Sequence, residues 1–200
     1  MAGVVRSFRR GHRFVVPSAA RTMRNVEIKA RVRDASRLRQ LAAELSGSAG
    51  HKLVMRDTFF SSASGRLKLR EQTGAPNQLI FYDRPDTAGP KLSDFCYAAV
   101  GDDVAALRDT LGRALGVRGD VQKTRLLFMV DQTRVHVDSV AGLGDFMELE
   151  VKLREDQTLE QGQAVAEALM KQLEVEPTDL IDCAYVDMLE KQSGQADGQA

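Results

Sequence analysis

Tryptophan is absent from this 200-residue chain, and aromatic residues make up only 6% of it. A pocket that grips its ligand with an indole ring is thereby excluded. Cysteine is scarce: Cys96 and Cys183 are far apart and lack partners at metal-ligand spacing. They fit two ordinary thiols in a reducing compartment rather than a disulfide framework. Net charge is missing as well. The 28 Lys and Arg residues offset the 28 Asp and Glu residues, so no global field draws the chain to a nucleic acid polymer or to a membrane surface. No apolar run approaches the roughly 20 residues that a membrane-spanning helix requires. What is present is a 43% hydrophobic, 28% charged composition over a length that suits one globular domain with a core. Any function based on charge must come from local sorting.

Residues 1–22 carry Arg6, Arg9, Arg10, Arg13 and Arg21 with Ser7, Ser18 and Thr22, and no acidic residue precedes Glu27. That composition resembles a mitochondrial transit peptide; the other reading is a disordered basic extension ahead of a second start at Met23. Localisation is accordingly cytoplasmic, or mitochondrial if residues 1–22 are a leader. Residues 192–200 have little to bury and read as a disordered tail. The folded unit is expected over 23–191, with no internal repeat.

Within it, period-2 segments dominate. Asn25, Glu27, Lys29 and Arg31 alternate with Val26, Ile28, Ala30 and Val32, a strand with one charged face. Arg66, Lys68 and Arg70 alternate with Leu67 and Leu69, and Tyr82 shares a face with Arg84. Lys123 and Arg125 follow the same rule, as do Arg134, His136 and Asp138, and finally Glu148, Glu150 and Lys152. Period-3.6 segments supply the helices. One is capped by Asp34 and ends near Gly47, and another runs from Asp102 or Asp103 to Gly116. A third contains Val165, Leu169 and Leu173, and a last one spans Asp179–Glu190. Their apolar faces need a surface to cover, and the apolar strand faces provide it. Gly142–Gly144 reads as a hairpin turn, and Phe59, Phe60 and Phe81 as core.

The charges sort by strand, which an ordinary solvated sheet face would not require. Bases gather at Arg66, Lys68, Arg70, Arg84, Lys123 and Arg125, and acids at Glu27, Asp138, Glu148 and Glu150. A sheet closed on itself would turn this face inward, where unpaired charges cost several kcal/mol each. Such an interior must hold water, ions and a ligand that balances the charge. Guanidinium and ammonium groups suit phosphate oxygens. Clustered carboxylates suit Mg²⁺ or Mn²⁺, which bridge to phosphates. The chemistry implied is phosphoryl or nucleotidyl transfer.

At this point the residues resemble the CYTH superfamily of triphosphate tunnel metalloenzymes, which includes class IV adenylate cyclases, thiamine triphosphatases and tripolyphosphatases. The family's first-strand pattern Glu-x-Glu-x-Lys is matched by Asn25-Val26-Glu27-Ile28-Lys29, with an amide in place of the first acid. Further landmarks are Asp57-Thr58-Phe59-Phe60, Arg66-Leu67-Lys68-Leu69-Arg70, Tyr82 with Arg84-Pro85, Lys123 with Arg125, and His136-Val137-Asp138 leading to Glu148-Leu149-Glu150. The resemblance implies an α+β fold: a closed antiparallel β-barrel of about eight strands with flanking amphipathic helices. It implies metal coordination by Glu27, Asp138, Glu148 and Glu150, and phosphate contacts from Lys29, Arg66, Lys68, Arg70, Arg84, Lys123 and Arg125. Lys29 and Glu27 are the implied catalytic residues.

The leading expectation is a Mg²⁺- or Mn²⁺-dependent triphosphatase, acting on a triphosphate-containing small molecule or polyphosphate as a monomer or homodimer. Two alternatives stay open. A class IV-type adenylate cyclase would have to recognise adenine, and its usual His-Phe element has only His12 and Phe14, inside the suspected leader. A non-catalytic polyphosphate or nucleotide binder is motivated by Asn25. His136 reads either as a general base or as an orienting hydrogen-bond donor, and Lys91 and Lys152 either as tunnel residues or as surface charges.

Overall fold

The computed structural model describes residues 23–197; the expectation for residues 1–22 lies outside them. The alternating segment at the start becomes strand β1 (Met23–Arg31). It is followed by helix α1 (Ala35–Ser46), strands β2 (His51–Phe60), β3 (Arg66–Gln72), β4 (Asn77–Asp83) and β5 (Lys91–Val100), and helix α2 (Val104–Leu115). Then come β6 (Val117–Val130), β7 (Thr133–Val140) and β8 (Gly144–Lys152), and helices α3 (Leu159–Gln172) and α4 (Tyr185–Asp197). The strands form a closed antiparallel barrel in the order β1-β5-β4-β3-β2-β6-β7-β8. Closure leaves no sheet edge and gives every strand an inner and an outer face.

The outer face carries the larger core. Val26, Ile28 and Ala30 of β1 and Leu149 and Val151 of β8 pack with Leu38 and Ala42 of α1 and Ala166, Leu169 and Met170 of α3. Local chemistry sets the helix limits. Asp34 Oδ1 accepts from the N–H groups of Ser36 and Arg37, and Gly47 ends α1 at a φ of 63°. Thr158 and Gln161 form a capping box at the start of α3. The hairpin between β7 and β8 turns on Gly142 and Gly144, both at positive φ.

Gly162 marks the closest approach of α3 to the barrel. A Cβ there would meet Leu153 Cδ2 at 2.5 Å and Val26 Cγ2 at 2.7 Å. In an exposed helix, Gly to Ala stabilises by about 1 kcal/mol. Here overpacking against buried β1 outweighs that gain, so Gly162→Ala is expected to destabilise by about 1–3 kcal/mol. Urea unfolding checks the sign; a more stable variant would show that α3 can shift without loss.

The last helix differs from expectation. It begins at Tyr185 rather than Asp179, because Leu180 is extended and bridges to Ala30, and the Ile181 N–H donates to the Lys29 carbonyl at 2.9 Å. It also continues to Asp197, into the stretch expected to be a tail. Its first turn brings Ala184, Tyr185 and Val186 against Phe59, Val121, Val140 and Phe146, a second apolar cluster that fills one end of the barrel. Asp187 holds the turn in place: it accepts from the Ala184 N–H at 2.9 Å, from Arg66 at 2.9 Å and from Arg118 at 3.1 Å. Among the described residues, no helix is long and apolar enough to cross a membrane.

Candidate metal and phosphate site

The inner faces enclose a cavity of about 300 Å³ whose charges are organised by cross-strand register. Arg70 of β3 lies directly opposite Asp57 of β2. The Arg70 guanidinium donates to both Asp57 oxygens at 2.7 and 2.6 Å, and Lys68 donates to the same carboxylate at 3.1 Å. Burial alone would raise the Asp57 pKa, but these two cations hold it well below the usual carboxylate range. Lys68 responds in the opposite sense: burial, reinforced by Arg70, lowers its pKa to about 8.

A second knot lies deeper. Arg125 of β6 is opposite Asp138 of β7 and donates to both its oxygens at 2.6 Å, joined by Lys123 at 2.9 Å and the Tyr185 hydroxyl at 3.3 Å. Asp138 has no accessible surface. Expected among the metal-binding carboxylates, it is instead fully buried against Lys123, Arg125 and Tyr185, and its oxygens are not among the ligand atoms that converge with those of His136. Arg66, expected in the tunnel, lies on the inner face of β3 but is tied to Asp86 at 2.7 Å and to Asp187 at the α4 end.

The acidic wall is formed by β1, β8 and β7. Glu148 takes Lys29 at 2.7 Å and Arg125 at 2.6 Å, and Glu150 takes Arg134 at 2.7 Å. The pKa of Glu148 lies well below the ordinary value, since the Lys29, Lys123 and Arg125 charges overcome burial. Glu150 is held down to about 2 against burial by His136, Arg134 and Arg125. Burial and Arg125 also lower the pKa of His136 itself, so near pH 7 the imidazole is neutral and the guanidiniums carry that effect. Glu27 sits opposite Glu150; burial first, and then the Glu150 charge, raise its pKa. Arg84, with its side chain only 4% exposed, is 3.5 Å from Glu27 and keeps a buried Nη1 without a hydrogen-bond partner.

One corner of this wall fits a divalent cation. Ligand atoms of His136, Glu148 and Glu150 all lie within 4.8 Å of one another. His136 Nδ1 is buried without a hydrogen-bond partner, 3.6 Å from Glu148 and 3.9 Å from Glu150, and the neutral tautomer protonated at Nε2 would offer a cation the Nδ1 lone pair. Two carboxylates and one imidazole make a mixed oxygen and nitrogen donor set for a divalent cation, the carboxylates suiting Mg²⁺ or Mn²⁺ and the imidazole suiting a transition metal better than Mg²⁺.

Sequence patterns brought most of this set together: Glu27, Lys29, Lys68, Arg70, Arg84, Lys123, Arg125, Glu148 and Glu150 all line the cavity. Lys91 is also inward and buried, donating to the Thr87 and Ile181 carbonyls, whereas Lys152 is exposed. The residues missed were Asp57, Arg134 and Tyr185. Arg134 was visible in the β7 alternation. Tyr185, whose ring lies 3.6 Å from Lys29 Nζ, looked like one more apolar position of a helix.

A closed antiparallel barrel whose inner face sets a basic wall against an acidic one defines the triphosphate-tunnel class of metalloenzyme folds. The CYTH domain family matches residues 23–185, and the chain belongs to that family, whose members bind triphosphate substrates. No curated protein matches it. Among solved structures, the PH1012 protein of Pyrococcus horikoshii OT3 is similar with a TM-score of 0.70 and 18% identity, over 82% of this chain and 98% of that one. A conserved hypothetical protein of Pyrococcus furiosus gives a TM-score of 0.68 and 17% identity, over 82% and 98% of the two chains. A Vibrio parahaemolyticus protein provisionally called an adenylate cyclase gives 0.65 and 17%, over 83% and 97%. At these identities the likeness speaks for the fold alone.

Proposed function

We propose that the protein is a metal-dependent hydrolase acting on the triphosphate moiety of a small molecule. The observation that carries this reading is the opposition of walls in one cavity. Lys68 and Arg70 on β3 face Glu148 and Glu150 on β8 across the barrel, with Arg84 and Lys123 flanking them. Glu148, Glu150 and His136, with Glu27 beside them, would hold the cation. When bound, it would neutralise the carboxylates and draw charge from a phosphate oxygen. Asp138 is assigned as the counter-ion of Arg125 and Lys123.

Lys68, Arg70, Arg84 and Lys123 would grip the phosphates in line for attack. A water oxygen forms the new bond to the terminal phosphorus as the bond to the bridging oxygen breaks; that electron pair stays on the leaving phosphate chain, which takes up the proton that the water sheds. Lys29 meets charge on the transferred group, and Glu27 orients the water. Binding without turnover is the second reading, favoured by one observation: Asn25 removes a carboxylate from β1. The test is incubation with Mn²⁺ and tripolyphosphate, ATP, GTP or thiamine triphosphate, assayed for phosphate and for cyclic nucleotide. Metal-dependent phosphate release is expected. Thermal stabilisation without product would establish a binder, and cyclic nucleotide a cyclase.

The Lys68 pKa adds a pH dependence. The free ammonium is charged below about 8 and neutral above it, and only the charged form attracts phosphate. Affinity for tripolyphosphate is therefore expected to fall as pH rises through that value, and Lys68→Arg, which stays charged, should flatten the decline. Dissociation constants measured across this range check it; identical profiles for both proteins would remove Lys68 from the site.

A further inference from the structure

Tyr185, in the first turn of α4, lines the cavity and is buried. Its ring stands 3.6 Å from Lys29 Nζ and 5.1 Å from Lys123 Nζ. The Phe146 ring braces it from within the apolar cluster, with centroids 5.0 Å apart and planes tilted by 57°. Burial first, and then the Glu148 and Asp138 charges, raise the Tyr185 pKa well above its ordinary value. The side chain is therefore a neutral phenol near pH 7, and its hydroxyl donates to Asp138 at 3.3 Å.

Lys29 is held at both of its ends by this stretch of chain. Its backbone carbonyl accepts from the Ile181 N–H at 2.9 Å, and further along the Tyr185 ring covers its ammonium group. Glu148 Oε1 meets the same ammonium at 2.7 Å. A lysine carries its charge on a flexible stem. Clamped between a carboxylate and an aromatic face, the ammonium is fixed on two sides and can aim an N–H away from both. An apolar side chain of similar volume would fill the space of the ring but offer no negative π-face.

Resting on the triphosphate reading above, we infer that Tyr185 is a positioning residue: its ring holds the Lys29 ammonium where charge gathers on the transferred phosphoryl group, so α4 supplies part of the site as well as closing the barrel. The ring acts through Lys29 and not on the phosphate itself. A desolvated cation–π contact is strong enough to change a rate about tenfold, and a small misplacement of a reacting group can cost more. Lys123, the other ammonium near the ring, keeps its own anchor on Asp138 at 2.9 Å. Phosphate binding should accordingly change little, and the effect should fall on turnover.

The test measures Mn²⁺-dependent phosphate release from tripolyphosphate by the full chain. Tyr185→Leu is expected to lower kcat about tenfold with KM within about twofold of wild type, whereas Tyr185→Phe, which keeps the ring and loses the hydroxyl, should retain most of the rate. In a Lys29→Met background, already slow, Tyr185→Leu should cost nothing further. If Tyr185→Leu melts too low to assay, phenylalanine carrying one, two or three ring fluorines at position 185 keeps the shape and progressively weakens the π-face, and kcat should fall stepwise along that series. The inference is overturned by wild-type kcat in Tyr185→Leu, by a flat fluorine series, by Tyr185→Phe losing as much as Tyr185→Leu, or by a full further loss in the Lys29→Met background. In each of these cases phosphate release by the wild type leaves the triphosphate reading standing. A wild type that releases no phosphate from any triphosphate would overturn both.

Discussion

Asp138→Asn is expected to destabilise the fold by about 3–5 kcal/mol, the usual consequence of removing one partner from a buried ion pair. The amide keeps the shape of the carboxylate but leaves Lys123 and Arg125, both almost fully buried, with Glu148 as their remaining counter-charge. It also presents an N–H₂ group toward donors at 2.6 and 2.9 Å, where an acceptor is required. Removing a cation with the carboxylate, as in Asp138→Asn with Lys123→Met, should recover part of the loss. Denaturant unfolding of both variants checks the account. A loss under about 1 kcal/mol, the range of exposed pairs, would show that Asp138 is not the counter-ion that holds β6 to β7.

Glu150→Gln should change the metal requirement more than it disturbs the fold. Its pair with Arg134, which is 36% exposed, is partly screened by solvent, but a carboxylate that its neighbours hold down to about 2 contributes stability near pH 7 that the amide loses. Its carboxylate is, however, one of the convergent donors beside His136 and Glu148. Losing that charge is expected to raise the Mn²⁺ concentration for half-maximal phosphate release by about 10–100-fold, at least the effect of disturbing a ligand's own partners. Lys68→Met should show the reverse pattern, with weaker tripolyphosphate binding and unchanged metal dependence. Metal titrations of the two variants separate the walls of the cavity. Wild-type metal dependence in Glu150→Gln would refute the carboxylate corner.

What could be read from the sequence was what is local. The alternation of Glu27 and Lys29 with Ile28, and of Glu148 and Glu150 with Leu149, needs only the period of a strand, and Asp34 and Asp103 cap their helices within a single turn. Positions fixed across the barrel were less legible. Asp138 has the residue type and face of a metal ligand, but the register that sets it against Arg125 decides its role. Asp57 stood out only as a landmark, because its partner Arg70 is met through strand pairing. Strand β5 has no clean period, so Phe95 and Tyr97 were not singled out as residues that line the cavity. The start of α4 was misplaced because Leu180 is held extended by β1, a contact that helical spacing cannot anticipate.

Tyr185 and its neighbours fill one end of the barrel, so on the proposed triphosphatase reading the tunnel would be a cul-de-sac. A guest would enter with its terminal phosphate leading and leave by the same door. Cleavage products would then exit in reverse order of depth, the shortened ester first and orthophosphate last. The blind end would also act as a depth gauge, since the plug sets how far a chain of phosphates can advance.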